Sequence, residues 1–271
     1  MPAPNSMTPK QLLRLIGTPQ APVLVDICVD EDFQKDPFLI PGSFRCSALD
    51  FDSLKETVGD RPAVIICQKG KKLSQGVVSW LRSEGVDAEY LDGGMHAWRE
   101  TPDAPRIPAS TLSGLGGENT LWVTRHRPKI DRIACPWLIR RFVDPKARFL
   151  FVAPNEVQSV ADVFEATPFD VENVFWSHRN DQCTFDTMLD EFALRTPALD
   201  RMATVIRAAD TNRHDLSPEA AGLLAISVGV SRQYRDDHQN LVAGLQLYDA
   251  LYRWARDGFE ERHDWPTDKK S

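Results

Sequence analysis

A chain of 271 residues is about twice the usual size of a domain, so two domains are expected. Its 32 Lys and Arg against 39 Asp and Glu give a net charge of -7, and the pI is near 5.4; this argues against a sequence-independent DNA or RNA binder, whose affinity rests on clustered cations facing phosphates. Five widely spaced cysteines without a C-x-x-C pair do not make a disulfide framework or a zinc ribbon and suit a reducing compartment.

In chain order, Met1 to Gly17 lacks the charged start and apolar block of a signal peptide, and Pro9 to Ile16 reads as a short helix. Strands are expected at Pro22 to Ile27, Ala63 to Cys67 and Ala88 to Leu91, with a helix at Ser74 to Ser83; this is the alternation of a parallel α/β sheet. Thr101 to Asn119 is rich in proline, serine and glycine and lacks apolar periodicity, which marks a linker. Downstream, short strands are expected at Leu121 to Thr124 and Arg148 to Val152. Helical periodicity runs through Asp131 to Phe142, Thr184 to Phe192, Pro197 to Ala209, Pro218 to Val230 and Arg232 to Arg256. The expected layout is therefore an α/β domain over 1–105, a linker over 106–120, a mainly helical α+β domain over 121–256 and a polar tail over 257–271. No apolar run reaches the roughly eighteen residues of a membrane helix, so the cytoplasm is the expected location and no membrane partner is expected.

Cys67 stands where an apolar run ends and a basic loop, Gln68-Lys69-Gly70-Lys71-Lys72-Leu73, leads into a helix. Positive charge and the unpaired N–H groups of a helix N-terminus both lower a thiol's pKa, and the thiolate is the nucleophile. Lys69, Lys71 and Lys72 supply charge, Gly70 lets the turn close, and N–H groups curled around the sulfur would form a nest for an anion. The plainer reading is a small buried hydrophobe at a strand end.

These residues resemble the active loop of a rhodanese-type sulfurtransferase, from Cys67 through Gly76 to Leu81 and Gly85. Val23 to Cys28 resembles the family's opening strand with Asp26 in place, Leu39-Ile40-Pro41-Gly42-Ser43 its Pro-Gly turn, and Leu91 to Trp98 its closing Gly-Gly…Trp segment. The resemblance implies a parallel α/β domain in which Cys67 accepts sulfane sulfur as a persulfide and passes it to a thiol, with no cofactor required. Three positions depart from the family. Cys28 stands for an arginine, Leu39 for a histidine and Lys72 for an arginine. Lysine is a point charge where arginine offers a planar fork, which makes thiosulfate a poorer expected donor. Cys28 is a candidate second thiol if the two strands bring it near Cys67, for which the Cα atoms must approach within roughly 7 Å.

In the second half, Asp131 to Asp144, His178 to Asp186 and the stretch from Ala209-Asp210 to Leu223 resemble the carboxyl-terminal domain of ChrB-type chromate resistance proteins. A rhodanese-like half stands where chromate-responsive regulators carry a different domain, so DNA binding does not carry over. Arg132, Arg140 and Arg141 suit a tetrahedral oxyanion such as chromate or sulfate, or else form the wet face of a helix whose Ile133, Trp137, Leu138 and Phe142 fill the core. Cys135 reads as a redox-active ligand or as core. His178, Cys183 and Asp186, with Asp210 and His214 further on, are donors suited to zinc or iron, although the spacing fits no standard closed zinc motif. Thr184 and Asp186 serve equally as helix-entry residues. His96 borders the expected sulfur pocket or lies on a solvent-facing turn. The expected function is sulfur transfer between a small donor and a thiol acceptor in a chromate, oxyanion or metal stress setting; the alternative is a chromate- or metal-binding sensor with an idle rhodanese-like half. None of these motifs sets an oligomeric state.

Overall fold

The computed structural model describes residues 5–113, 115 and 120–261. Its first half runs β1 (Ser6–Met7), α1 (Pro9–Leu15), β2 (Val23–Asp26), α2 (Asp30–Phe33), β3 (Phe38–Leu39), β4 (Ser43–Arg45), α3 (Phe51–Val58), β5 (Ala63–Ile66), α4 (Lys72–Ser83), β6 (Ala88–Leu91) and α5 (Gly94–Arg99). Five strands form a sheet in the order β1-β6-β5-β2-β4, every pair parallel. The central strands read Val-Leu-Val-Asp and Ala-Val-Ile-Ile and are buried throughout, as strands covered on both faces must be. Leu54 and Val58 of α3 and Val77, Val78 and Leu81 of α4 cover one face. Helix α1 begins at a capping box between Thr8 and Gln11 with Pro9 in its first turn.

Register places the site. Asp26 pairs with Ile66, and the Ile27 N–H donates to the Ile66 carbonyl at 2.8 Å, so β2 and β5 end level. Cys28 and Cys67 therefore leave the same edge of the sheet.

The stretch expected as a linker carries two short elements. β7 (Ile107–Pro108) pairs antiparallel with β3, α6 (Ala109–Ser113) follows, and the Thr111 hydroxyl donates to the Glu191 carbonyl at 3.1 Å. Proline bars a strand from the interior of a sheet, not from a two-stranded edge, and buried Ile107 anchors this one. Residues 114 and 116–119 of that stretch, and 262–271 of the expected tail, lie outside the described residues.

The second half runs β8 (Leu121–Arg125), α7 (Asp131–Leu138), β9 (Arg148–Val152), α8 (Val157–Phe164), β10 (Thr167–Pro168), α9 (Thr184–Glu191), α10 (Pro197–Asp210), α11 (Glu219–Gln233) and α12 (Asp237–Arg253). β10-β8-β9 form a small parallel sheet. The helix expected from Asp131 to Phe142 is α-helical to Leu138 and then widens into a π-helical turn over Ile139–Val143. Trp137 is fully buried and contacts Phe142 and Tyr252 at ring separations of 5.7 and 5.4 Å. Leu12, Ile16, Leu24 and Trp98 of the first half and Trp137, Phe142 and Tyr252 of the second belong to one buried apolar cluster, so the halves share a core. Among the described residues no helix is long and apolar enough to cross a membrane.

Candidate functional site

The Cys67 loop folds against the Gly93-Gly94 turn that follows β6. The Met95 and His96 N–H groups donate to the Cys67 and Gln68 carbonyls at 3.0 and 3.1 Å. Backbones approach so closely that only glycine fits. A Cβ on Gly94 would stand 2.0 Å from the Cys67 carbonyl oxygen, one on Gly70 would stand 2.4 Å from that of Leu91, and both residues adopt positive φ. The expected closing role of Gly70 is thus paired with an equally tight requirement at Gly94.

The Cys67 sulfur is nearly buried and lies 3.2 Å from the Ser74 hydroxyl. Burial opposes its ionisation, yet the Ser74 hydroxyl and the backbone N–H groups of Ser74, Lys71 and Lys69 outweigh it, holding the thiol below its ordinary value of 9.0. Lys69, Lys71 and Lys72 have exposed side chains, and hydrogen bonds rather than lysine charge lead the lowering. Water screens such exposed charges. The cradle therefore uses the N–H groups of Lys69 and Lys71 from the expected loop, and Ser74 just beyond it; Gln68 and Leu73 shape the turn. Ser74 was missed because a serine at a helix start reads as ordinary helix-entry chemistry.

Cys28 lies close enough that charge on Cys67 raises its pKa, but burial and the neighbouring Asp26 act first, and together they push the Cys28 thiol well up. Asp26 accepts the Cys28 N–H at 2.7 Å, and burial raises its own carboxyl. Cys28, Asp26, Gln68, His96 and Arg99 line a cavity of about 240 Å³ beside the loop. His96 thus borders the same edge of the sheet as the active loop.

The second half gathers a different cluster. His178 Nε2 lies 3.3 Å from Asp170 Oδ1, 3.2 Å from Asp210 Oδ2 and 3.6 Å from Asp131 Oδ2. Hydrogen bonds to Asp170 and Asp210 raise the imidazole to about 10. Asp131 is fully buried; burial pushes its carboxyl well up, and Asp210 and Asp170 add to that. Its Oδ2 accepts the Thr184 N–H at 2.6 Å and the Phe185 N–H at 3.4 Å, so it caps α9 from α7. Ile130, just before it, has φ of +48°, a strained value for a β-branched residue, and its carbonyl accepts the Tyr248 hydroxyl at 3.0 Å.

Of the expected metal donors, His178 and Asp210 meet. Asp186 and His214 do not join them, and Cys183 reaches the cluster only through the Asp131 carboxyl. Cys183 is buried at the start of α9, its thiol donating to Asp186 at 3.4 Å, and Asp186 is held by Arg207 at 2.8 Å and by Arg195. His214 lies in the turn after α10 beside the carboxylate of Asp215, away from His178 and Asp210. These three serve the entry of α9 and a turn, as their local spacing also permits. Asp131 and Asp170 were missed: Asp131 was read only as the start of a helix, and Asp170 lies in an irregular segment with no motif around it.

The expected oxyanion ligands are engaged within the fold. Arg132 bonds Asp170 at 3.3 Å and the His126 carbonyl at 3.0 Å, Arg140 bonds the Ala147 carbonyl at 3.1 Å, and Arg141 grips Asp249 with two bonds of 2.8 Å. Cys135 is fully buried and its thiol is pushed well up by burial and then by Asp131.

Two family models match separate parts of the chain. Residues 8–101 match the Rhodanese-like domain family, and residues 122–255 match the family described as ChrB, C-terminal domain. The chain is 33% identical over 132 residues to Protein ChrB of Cupriavidus metallidurans; the match covers 48% of this chain and 39% of that protein, so the chain spans about two fifths of that relative's length. A rhodanese-like domain protein from Staphylococcus aureus is 26% identical, with 35% of this chain and 90% of that chain covered and a TM-score of 0.29. A structural-genomics protein of Staphylococcus saprophyticus is 27% identical, with 34% and 89% covered and a TM-score of 0.30. The chain is thus a rhodanese-like domain followed by a ChrB-type carboxyl-terminal domain.

Proposed function

We propose that this protein transfers sulfane sulfur through a persulfide on Cys67, and that its ChrB-type half sets this chemistry in a chromate, oxyanion or metal stress context. The observation that carries the reading is the Cys67 cradle, in which the Ser74 hydroxyl and the N–H groups of Lys69, Lys71 and Ser74 lower a nearly buried thiol. A thiolate held in this way attacks the outer sulfur of a donor. The new S–S bond forms as the bond between that sulfur and the donor breaks, and the donor leaves with the electron pair. The persulfide carries its negative charge on the outer sulfur, where N–H donors stabilise it as they would an oxyanion. An acceptor thiolate then attacks that sulfur and returns Cys67 as thiolate.

The elevated pKa of Cys28 suits a protonated neighbour of the persulfide, while the cavity that Cys28 lines provides space for a small donor or acceptor. Cys135 and Cys183 are enclosed in the second half and do not suit the role of acceptor.

The test is the intact mass of the wild-type protein and of Cys67→Ser after incubation with thiosulfate and, separately, with a polysulfide. A wild-type adduct of about 32 daltons that is absent from the variant supports the reading. No adduct from either donor overturns it and leaves a binding or sensing role for the chain. Because Lys72 replaces the fork of an arginine, polysulfide is expected to load Cys67 more fully than thiosulfate.

A further inference from the structure

We propose that Asp131, Asp170, Asp210 and His178 form a binding site for one divalent transition-metal ion of the Mn²⁺, Fe²⁺ or Zn²⁺ class, where the start of α7 and the end of α10 meet the segment between β10 and α9. The inference is independent of sulfur transfer by Cys67.

Geometry supports it first. The donor atoms of Asp131, Asp170 and His178 all lie within 4.8 Å of one another, and the His178 Nε2 is 3.2 to 3.6 Å from a carboxylate oxygen of each of the three aspartates. Donors bonded at about 2.0–2.1 Å around a tetrahedral ion are separated by roughly 3.3 Å, so the distances from His178 match a shell around one ion built on Asp131, Asp170 and His178, with Asp210 joined to it through His178.

A second observation concerns Asp131, whose Oδ2 faces His178 at 3.6 Å. Asp131 is fully buried, and its Oδ1 has no hydrogen-bond partner among the described residues, although Oδ2 accepts two N–H groups. A buried carboxylate oxygen without a partner is costly, and a bound cation removes that cost.

The surroundings are those of an oriented ligand set. Arg132 and Arg125 each reach Asp170 Oδ2 at 3.3 Å, and the Thr184 hydroxyl donates to Asp170 Oδ1 at 2.9 Å. Such outer contacts fix a ligating carboxylate. The His178 side chain is 41% exposed, which opens one side of the cluster to solvent as an entry path. One imidazole with carboxylates favours a borderline transition ion over the all-oxygen shells of Mg²⁺ and Ca²⁺. The competing account is a His178 imidazolium closing the cluster as an ion pair, and it predicts no ion binding.

Full-length protein stripped with a chelator and titrated with Mn²⁺ or Zn²⁺ alone tests the site, with stoichiometry from elemental analysis and affinity from calorimetry. Asp131→Asn risks the fold because Asp131 caps α9, so His178→Ala and Asp210→Asn carry the test, with circular dichroism to confirm folding. Wild type and Cys67→Ser are both expected to bind about one equivalent, and either ligand variant to bind about 10–100-fold more weakly. Absence of saturable binding of both ions by wild type overturns the proposal. So does unchanged affinity in the folded His178→Ala and Asp210→Asn variants.

Discussion

Cys67 and Cys183 both stand at the entry to a helix, α4 and α9, and their thiols move in opposite directions. Each has backbone N–H groups turned toward its sulfur. For Cys67 those groups, together with the Ser74 hydroxyl, overcome burial and lower the pKa. For Cys183, burial acts first, the charges of Asp131 and Asp186 reinforce it, and the Asp186 N–H does not offset them, so the thiol is pushed well up. Its S–H is a donor, to Asp186 at 3.4 Å, where the hydrogen bonds around the Cys67 sulfur favour its thiolate. A helix entry therefore does not by itself make a nucleophile; the decision lies with the polarity of the groups that complete the shell.

The largest disruption of this contrast is expected from Gly94→Ala. The added methyl would meet the Cys67 carbonyl oxygen at 2.0 Å and the Gly70 nitrogen at 2.6 Å, on a residue whose φ is already +59°. Backbone atoms cannot step aside as a flexible side chain can, so a destabilisation on the order of 3 kcal/mol is expected, with loss of fast Cys67 alkylation. Thermal unfolding and iodoacetamide kinetics check both outcomes. Unchanged kinetics would show that the loop does not depend on this contact.

Ser74→Ala should act more mildly and more selectively. It removes the hydroxyl that stands 3.2 Å from the sulfur and donates to the Lys71 carbonyl at 3.2 Å, and a hydrogen bond to a charged group is worth about 1.5–3 kcal/mol, so alkylation at pH 7 should slow about tenfold or more. The sign follows from the lowered pKa. Wild-type Cys67 reacts with a midpoint below 9.0, and the variant's midpoint moves upward. A pH series of alkylation rates measures the shift, and coincident wild-type and variant curves would remove Ser74 from the cradle.

Cys183→Ser should have the smallest effect. The thiol is fully buried and held protonated, so it contributes nothing to the alkylation measured near pH 7. Mass mapping of alkylated peptides should show Cys67 modified and Cys183 untouched in the native protein. Rapid labelling of Cys183 would mean that α9 opens far more readily than its packing implies.

The parallel sheet was legible because its central strands are short apolar runs alternating with helical segments, and α10 because Pro197 to Ala209 carries helical periodicity; the structure adds its cap, the Thr196 hydroxyl accepting the Leu199 N–H at 3.3 Å. α3 and α8 were missed although Asp50 caps α3 through the Ser53 N–H at 3.1 Å. Ile107 illustrates the opposite failure: prolines around it signalled a linker, and one apolar residue was enough to pin an edge strand.

Sequence alone located Cys67 and its basic loop, since the thiol and the N–H groups nearest it lie on one short stretch of chain between strand and helix, while the part of Ser74 and the close approach of Gly94 emerged only from the structure. Only tertiary structure decided the acidic cluster. Asp131 of α7, Asp210 of α10 and the pair Asp170 and His178 between β10 and α9 come from three separate parts of the chain, and they converge where α7, α9 and α10 pack around shared buried side chains such as Phe185 and Met202. It also decided the fate of the other thiols: Cys135 and Cys183 carry no local sign that three aspartates will surround them, and a pKa depends on what stands near in space, whatever the distance along the chain.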